Sequence, residues 1–238
     1  MIIRPLTALA ELEKCVDLQR ETWGLADIDV LPMRMFVTHT RIGGLVLGAF
    51  DGDRLIGFAA ATPGIRDAKP YWYSQMLAVN REYRNRDIGT DLKLAQRDAA
   101  RQRGIHLIEW TFDPLESKNA YLNIIKLGAI VRSYYVNLYG ATASQLQAGL
   151  ESDRVVAEWQ FDSPRIVLEG DIRRVRIPLD IQALKQQDLS AAQDAQRRTR
   201  EQFVRNLQDD YFVAGFQRNL EDSEYLFIHG ASRVHQTG

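Results

Sequence analysis

The chain has one cysteine, Cys15, and four histidines in 238 residues. A lone thiol forms no internal disulfide and supplies no cysteine-rich zinc site, and scattered imidazoles do not make a ligand cluster. No metal is expected. An excess of one charge is also missing: 30 Lys and Arg stand against 31 Asp and Glu, a formal net charge of −1. Residues 1–140 carry 18 basic and 16 acidic side chains, and the remainder 12 and 15. Neither part has the electrostatic footprint of a nucleic-acid-binding module. Long apolar runs are absent too, none approaching the ~20 residues of a membrane span. Met1–Pro5 lacks the apolar core and cleavage site of a signal peptide. The expectation is a cytoplasmic protein that engages neither nucleic acid nor membrane.

What is present is enough apolar material for a real core. With 45% hydrophobic and 26% charged residues, the composition excludes disorder, collagen-like repeats and coiled coil. The length allows one large domain or two small ones.

Ile2–Arg4 reads as a strand, and the three- and four-residue spacing of Leu9, Leu12, Cys15, Val16, Leu18 and Trp23 as an amphipathic helix. A second helix is expected after Pro32, ending at Gly43-Gly44. Leu45–Phe50 and Leu55–Thr62, joined by Asp51-Gly52-Asp53, form a hairpin signal, because Asp-Gly accepts the positive φ of a tight reversal. Tyr71–Val79 is a further strand. A helix follows from Gly89, on Leu92, Leu94, Ala95, Ala99 and Ala100, and closes at Gly104. Ile105–Phe112 is a strand stopped by Pro114, Asn119–Leu127 a short helix stopped by Gly128, and Val131–Tyr139 a strand. The order β, α, α, β, β, β, α, β, α, β predicts an α+β domain over 1–140. Its sheet is mixed and mostly antiparallel, with a central βαβ crossover. Residues 141–238 read as an α/β subdomain, with strands at Val155–Phe161, Arg165–Leu168, Arg174–Leu179, Tyr211–Phe216 and Tyr225–His229 and a helix at Ala191–Leu207. Ser232–Gly238 is expected to fray.

The chemically informative stretch is Met76-Leu77-Ala78-Val79-Asn80-Arg81-Glu82-Tyr83-Arg84-Asn85-Arg86-Asp87-Ile88-Gly89-Thr90. A strand ends, a polar loop follows, and a helix starts at a glycine. Such a turn aims several backbone N–H groups at one point at the positive end of a helix dipole, where pyrophosphate binds well. Arg84 and Arg86 add charge. A plain strand-to-helix turn has the same spacing.

Leu77-Ala78-Val79 followed by Arg84-x-x-Asp87-x-Gly89, with Asn119-Ala120 and Lys126-Leu127-Gly128 downstream, resembles the GNAT superfamily of acyl-CoA-dependent N-acyltransferases. Trp110–Leu115 and Arg20–Gly24 resemble a less-studied branch of predicted bacterial acyltransferases, some associated with N-succinylation of amino acids. The resemblance implies a GNAT-like fold, acetyl-CoA or another acyl-CoA as cosubstrate, and transfer to a small-molecule amine such as an amino acid. It places cofactor contacts at Leu77, Ala78, Val79, Arg84, Asn85, Arg86, Asp87, Ile88, Gly89 and Thr90, and at Asn119 and Asn123. It implies a backbone N–H on the splayed strand that polarises the thioester carbonyl. The first motif glycine of the family is replaced by Asp87, and the glycine between the two arginines by Asn85. Asp and Asn tolerate positive φ, so the loop shape is expected to survive. The Asp87 carboxylate would stand where a phosphate sits, a like-charge contact of roughly 4 kcal/mol at 4 Å and an effective dielectric near 20.

Acyl transfer needs a neutral amine, a polarised carbonyl and a protonated leaving thiolate. The family's usual tyrosine acid falls at Ile124, leaving Tyr121, one turn earlier, as the alternative hydroxyl or else a packing aromatic. Glu109, in an otherwise apolar strand, is the candidate base or else a surface carboxylate. Tyr73 and Gln75 stand where relatives often carry histidines. Trp23 and Phe36 serve either as acceptor-pocket lining or as core anchors. His39 reads as a partly exposed helix residue, Cys15 as a small buried hydrophobe, and Arg197-Arg198 with Arg200 as a solvated helix face. The competing reading is a non-catalytic, degenerate GNAT-fold protein used for protein contacts or self-association; homo-oligomer formation fits either.

Overall fold

The computed structural model describes residues 1–24, 27–140, 149–164 and 166–230. The expected fraying at Ser232–Gly238 lies outside them, as does Arg165 of the strand expected at Arg165–Leu168; residues 166–168 are not strand. The chain forms two compact units that divide at Trp110/Thr111, whereas the sequence places its soft boundary near Gly140. Among the described residues no helix is long and apolar enough to cross a membrane.

The first unit contains β1 (Ile2–Pro5), α1 (Leu9–Trp23), α2 (Met33–Arg41), β2 (Leu45–Asp51), β3 (Arg54–Arg66), β4 (Lys69–Val79), α3 (Ile88–Arg101) and the start of β5 (Ile108–Phe112). Strand order is β1-β2-β3-β4-β5. Every pairing is antiparallel except β4 with β5, as the βαβ crossover requires. α1 ends on Gly24 at φ 62, which lets its N–H return to the Arg20 carbonyl. Gly52 reverses the β2–β3 hairpin at φ 57. β3 runs four residues beyond the expected Thr62, because its partner β4 starts at Lys69 and the register closes at Arg66↔Lys69. β5 starts three residues later than expected: Ile105 donates back to Ala100 while the chain leaves α3.

Leu12, Cys15 and Leu18 of α1 and Phe36 of α2 pack on Val46, Phe50, Phe58, Ala60 and Ala78 of the sheet. Each such fully buried large side chain contributes about 1.5–3 kcal/mol. α3 lies against the opposite face, close enough that a Cβ at Gly57 would stand 3.2 Å from Leu92. α3 buries Ile88, Leu92, Lys93, Gln96 and Ala100. Leu94, Ala95 and Ala99, expected on its apolar face, are only half-buried.

The second unit contains α4 (Ser117–Ala120), a π-helical turn at Tyr121–Lys126, β6 (Ile130–Tyr135), β7 (Arg154–Trp159), β8 (Arg173–Pro178), α5 (Ile181–Gln187), α6 (Leu189–Gln208), β9 (Tyr211–Arg218) and β10 (Asp222–His229). Strand order is β7-β6-β9-β10-β8, with β8 at the edge. Phe203 of α6 centres the core, its ring 4.9 Å from those of Tyr225 and Phe227. The helix expected at Ala191–Leu207 is longer and is preceded by α5. Asp180 and Asp188 cap α5 and α6 through side-chain oxygens. β6 ends at Tyr135 rather than Tyr139, and Asn137 turns the chain at φ 47. Arg200 is not simply solvated: its guanidinium holds buried Asp153 at 2.8 Å, and Tyr134 donates to the same carboxylate. On β8, Arg174 and Arg176 pair with Glu224, and Arg173 pairs with Asp209.

Candidate active site

β4 carries the site. Its register with β3 steps from Ala60↔Met76 to Ala61↔Ser74, which leaves Gln75 as a bulge. A bulge takes one residue out of the ladder and bends the strand. β4 also parts from β5: among the described residues their pairs are Trp72↔Ile108 and Tyr73↔Glu109. Among the described residues β4 continues beyond them to Val79 on its pairing with β3, so its ladder with β5 stops at Tyr73 and Glu109.

At the far end of β4 the predicted loop keeps its shape. Asn85 and Asp87 sit at φ 62 and φ 58, the left-handed region that Asn and Asp enter most readily. Asp87 is the N-cap residue of α3, and its side chain makes no capping hydrogen bond. The first turn of a helix offers N–H groups without intrahelical partners, here those of Ile88, Gly89 and Thr90. A Cβ at Gly89 would meet Leu77 at 3.7 Å and Val79 at 3.9 Å, so the turn rests on the end of β4. The residues present therefore fit a pyrophosphate at this point.

The two arginines differ. Arg84 donates to the Thr22 carbonyl at 3.3 Å, and loss of hydration there lowers its pKa. It ties the loop to the end of α1. Arg86 lies over the Tyr83 ring at 5.2 Å, on which Arg54 also stacks.

Glu109 is 7% exposed and pairs with Arg66. It is neither a solvated carboxylate nor one alone among apolar groups. As parallel register partners Glu109 and Tyr73 share a sheet face. Gln75 accepts a hydrogen bond from Thr62 at 3.2 Å. Thr62 is the register partner of Tyr73, so Thr62, Tyr73, Gln75, Glu109 and Arg66 cluster where the strands part.

Phe36, Trp23 and Cys15 follow the core readings offered for them, whereas His39 departs from its expected exposure. Phe36 is fully buried, edge-on to Phe58 at 5.6 Å; it is a core anchor with no surface for an acceptor. Trp23 is half-buried against the same core. His39 is buried rather than exposed, and burial lowers its pKa. Burial pushes the Cys15 thiol up to about 12, which leaves no thiolate for chemistry. In the second unit Asn123 and Ile124 are buried within the π-helical turn, while Asn119 and Tyr121 are exposed.

Arg66 and Lys93 are residues of this region that the sequence pattern does not mark as functional. Lys93 is fully buried on α3, donates to Ser74 Oγ at 2.7 Å, and lies over the Trp110 ring at 3.6 Å. Its signal was a polar pair, Lys93 and Gln96, at helical spacing on the stripe defined by Leu92 and Ala100. Among the described residues no group of His, Cys, Asp and Glu could hold a metal ion.

Residues 10–122 match the model of the acetyltransferase (GNAT) family. No curated relative matches the sequence. Among solved structures, the ribosomal-protein-S18-alanine N-acetyltransferase of Escherichia coli is 14% identical with a TM-score of 0.54, covering 71% of this chain and 99% of its own. A GNAT family acetyltransferase of Elizabethkingia anophelis with acetyl-CoA bound is 17% identical with a TM-score of 0.51, covering 67% of this chain and 97% of its own. An aminoglycoside 6'-acetyltransferase type Ii is 23% identical with a TM-score of 0.54, covering 69% of this chain and 100% of its own. At these identities the likeness is one of fold. With the bulged β4 and the α3 turn in place, residues 10–122 form the part of the chain that matches the acetyltransferase (GNAT) family model, and the solved GNAT structures share its fold.

Proposed function

We propose that this protein transfers an acetyl or succinyl group from an acyl-CoA to a small-molecule amine, such as an amino acid, by direct attack. The observation that carries the reading is the geometry of β4. It bulges at Gln75, parts from β5 beyond Tyr73 and Glu109, and ends at the uncapped start of α3. In this reading the pyrophosphate of the cosubstrate takes the amides of Ile88, Gly89 and Thr90, with Arg86 as the neighbouring cation. Leu77, Ala78 and Val79 line the pantetheine arm. A backbone N–H beside the bulge polarises the thioester carbonyl. Arg84 shapes the loop through Thr22 instead of meeting phosphate.

Glu109 receives the acceptor ammonium and takes its proton, with Tyr73 and Gln75 beside it. The freed amine forms the bond to the acyl carbon, the carbon–sulfur bond breaks with its electron pair left on sulfur, and a proton reaches the thiolate to release CoA. Calorimetry with acetyl-CoA, succinyl-CoA and CoA tests the reading. Binding of at least one in the micromolar range is expected, and failure of all three at millimolar concentration removes it.

A second reading, a non-catalytic GNAT-fold protein used for protein contacts or self-association, draws on two observations. Arg84 is already engaged by Thr22, and the family's acid position is the buried Ile124. Acyl-CoA binding that appears only in Asp87→Gly would favour it; turnover by the parent would reject it.

A further inference from the structure

Lys93 occupies an unusual place. Burying an ammonium without a carboxylate partner is so unfavourable that such a group gives up its proton instead, and burial alone holds the Lys93 pKa well below its ordinary value. The Lys93 Nζ has two contacts, one on each parallel strand. Ser74 of β4 follows Tyr73, and Trp110 of β5 follows Glu109, the last residues at which the strands pair. The lysine therefore stands under the first step at which β4 and β5 are apart. One turn further along α3, the fully buried Gln96 has neither amide atom hydrogen-bonded. A leucine or methionine at position 93 would fill the volume without a donor or a desolvation penalty, so stability does not call for lysine here.

We propose that Lys93 is a positioning residue that sets the separation of β4 and β5 at the floor of the acyl-CoA cleft, through its bond to Ser74 and its seat on the Trp110 ring. The proposal rests on the acyl-CoA reading above. It makes the cleft width depend on a polar link below the sheet, on the face away from Tyr73 and Glu109.

Lys93→Met is the informative variant, because it removes the donor and keeps the length. A residue that serves only the core shifts stability and ligand affinity in the same direction; a positioning residue separates them. The expected result is a melting temperature no lower than the parent's and a Kd for acetyl-CoA raised about tenfold, with kcat at saturation within threefold. Ser74→Ala should raise the Kd by a similar factor, and the double variant should be no weaker than either single one, since both cut one link. If Lys93→Met does not fold, Ser74→Ala carries the same measurement. A Kd within twofold of the parent in these variants overturns the proposal. Amide hydrogen exchange of Gln75, Met76 and Leu77 without ligand separates this idea from the reading beneath it. If the parent binds no acyl-CoA but exchange at these amides quickens at least fivefold in Lys93→Met, the acyl-CoA reading falls and the role of Lys93 in β4 stands; unchanged exchange overturns that role.

Discussion

Asp87 combines a conformation and a charge that pull in different directions. Its φ of 58 suits aspartate better than most side chains, while at the N-cap of α3 it adds a negative charge next to the amides that would receive an anion. Asp87→Gly removes the charge and accepts the same φ at no steric cost. The expected outcome is at least tenfold tighter acetyl-CoA binding by calorimetry with an unchanged melting temperature. Asp87→Asn should move affinity in the same direction, which assigns the effect to charge and not to backbone freedom. Glu109 poses the complementary case. Glu109→Gln keeps a hydrogen-bond acceptor for Arg66 but cannot take a proton, so kcat should fall by about 10²-fold or more, with Kd for acetyl-CoA within threefold. A kcat close to the parent's would limit Glu109 to its ion pair. The backbone conformation of Asp87 was legible from residue type, since Asn and Asp at the two loop positions predicted positive φ. The partner of Glu109 was not, because Arg66 is 43 residues away in the chain and meets it only through strand pairing.

At the scale of elements, two glycines of the first unit give opposite expectations. At Gly89 an added Cβ finds ordinary contacts with Leu77 and Val79, and alanine is the better helix former by about 1 kcal/mol. Gly89→Ala should fold with equal or higher stability, and any loss of acyl-CoA affinity then reports on the cofactor and not on packing. At Gly44 a Cβ would stand 2.3 Å from the Ala61 carbonyl oxygen and 2.8 Å from that of His39. Both obstacles are backbone, so Gly44→Ala should lose about 3 kcal/mol or more in urea titration. The elements that sequence revealed are those with local punctuation: Asp51-Gly52 at the hairpin, Gly104 after α3, Pro114 after β5. Those it concealed lack such marks or break the pattern used to find them. Lys93 and Gln96 are polar residues on the buried face of α3, so apolar periodicity alone points toward Leu94 and Ala95 instead. The π-helical turn at Tyr121–Lys126 depends on hydrogen-bond spacing that residue types do not specify. α5 is short, and Asp180 at its start was the signal available.

For the molecule as a whole, stability should carry a pH signature from Asp113. Burial pushes this carboxyl up to about 6 from 3.8, although it accepts the Leu115 N–H at 2.8 Å. The folded chain thus binds more protons than the unfolded chain between about pH 4 and 6. On this account the contribution is most favourable at or below pH 4, declines as pH rises through that window, and is constant above it, a change of up to about 3 kcal/mol. Asp113→Asn keeps the acceptor and abolishes the titration. Its melting temperature should exceed the parent's at pH 7.5 and match it near pH 4, read in the transition of the unit that holds it; equal values at both would remove Asp113 from the pH response. The outer strand of that unit, β8, leads to a different matter. Arg173, Arg174 and Arg176 line it and pair inward with Asp209 and Glu224. Any second strand approaching that border must first strip water from three guanidinium groups and compete with carboxylates that already hold them. The border acts as a gatekeeper against sheet extension, and protein concentrated for ligand work should stay free of fibrillar aggregate for as long as these arginines remain.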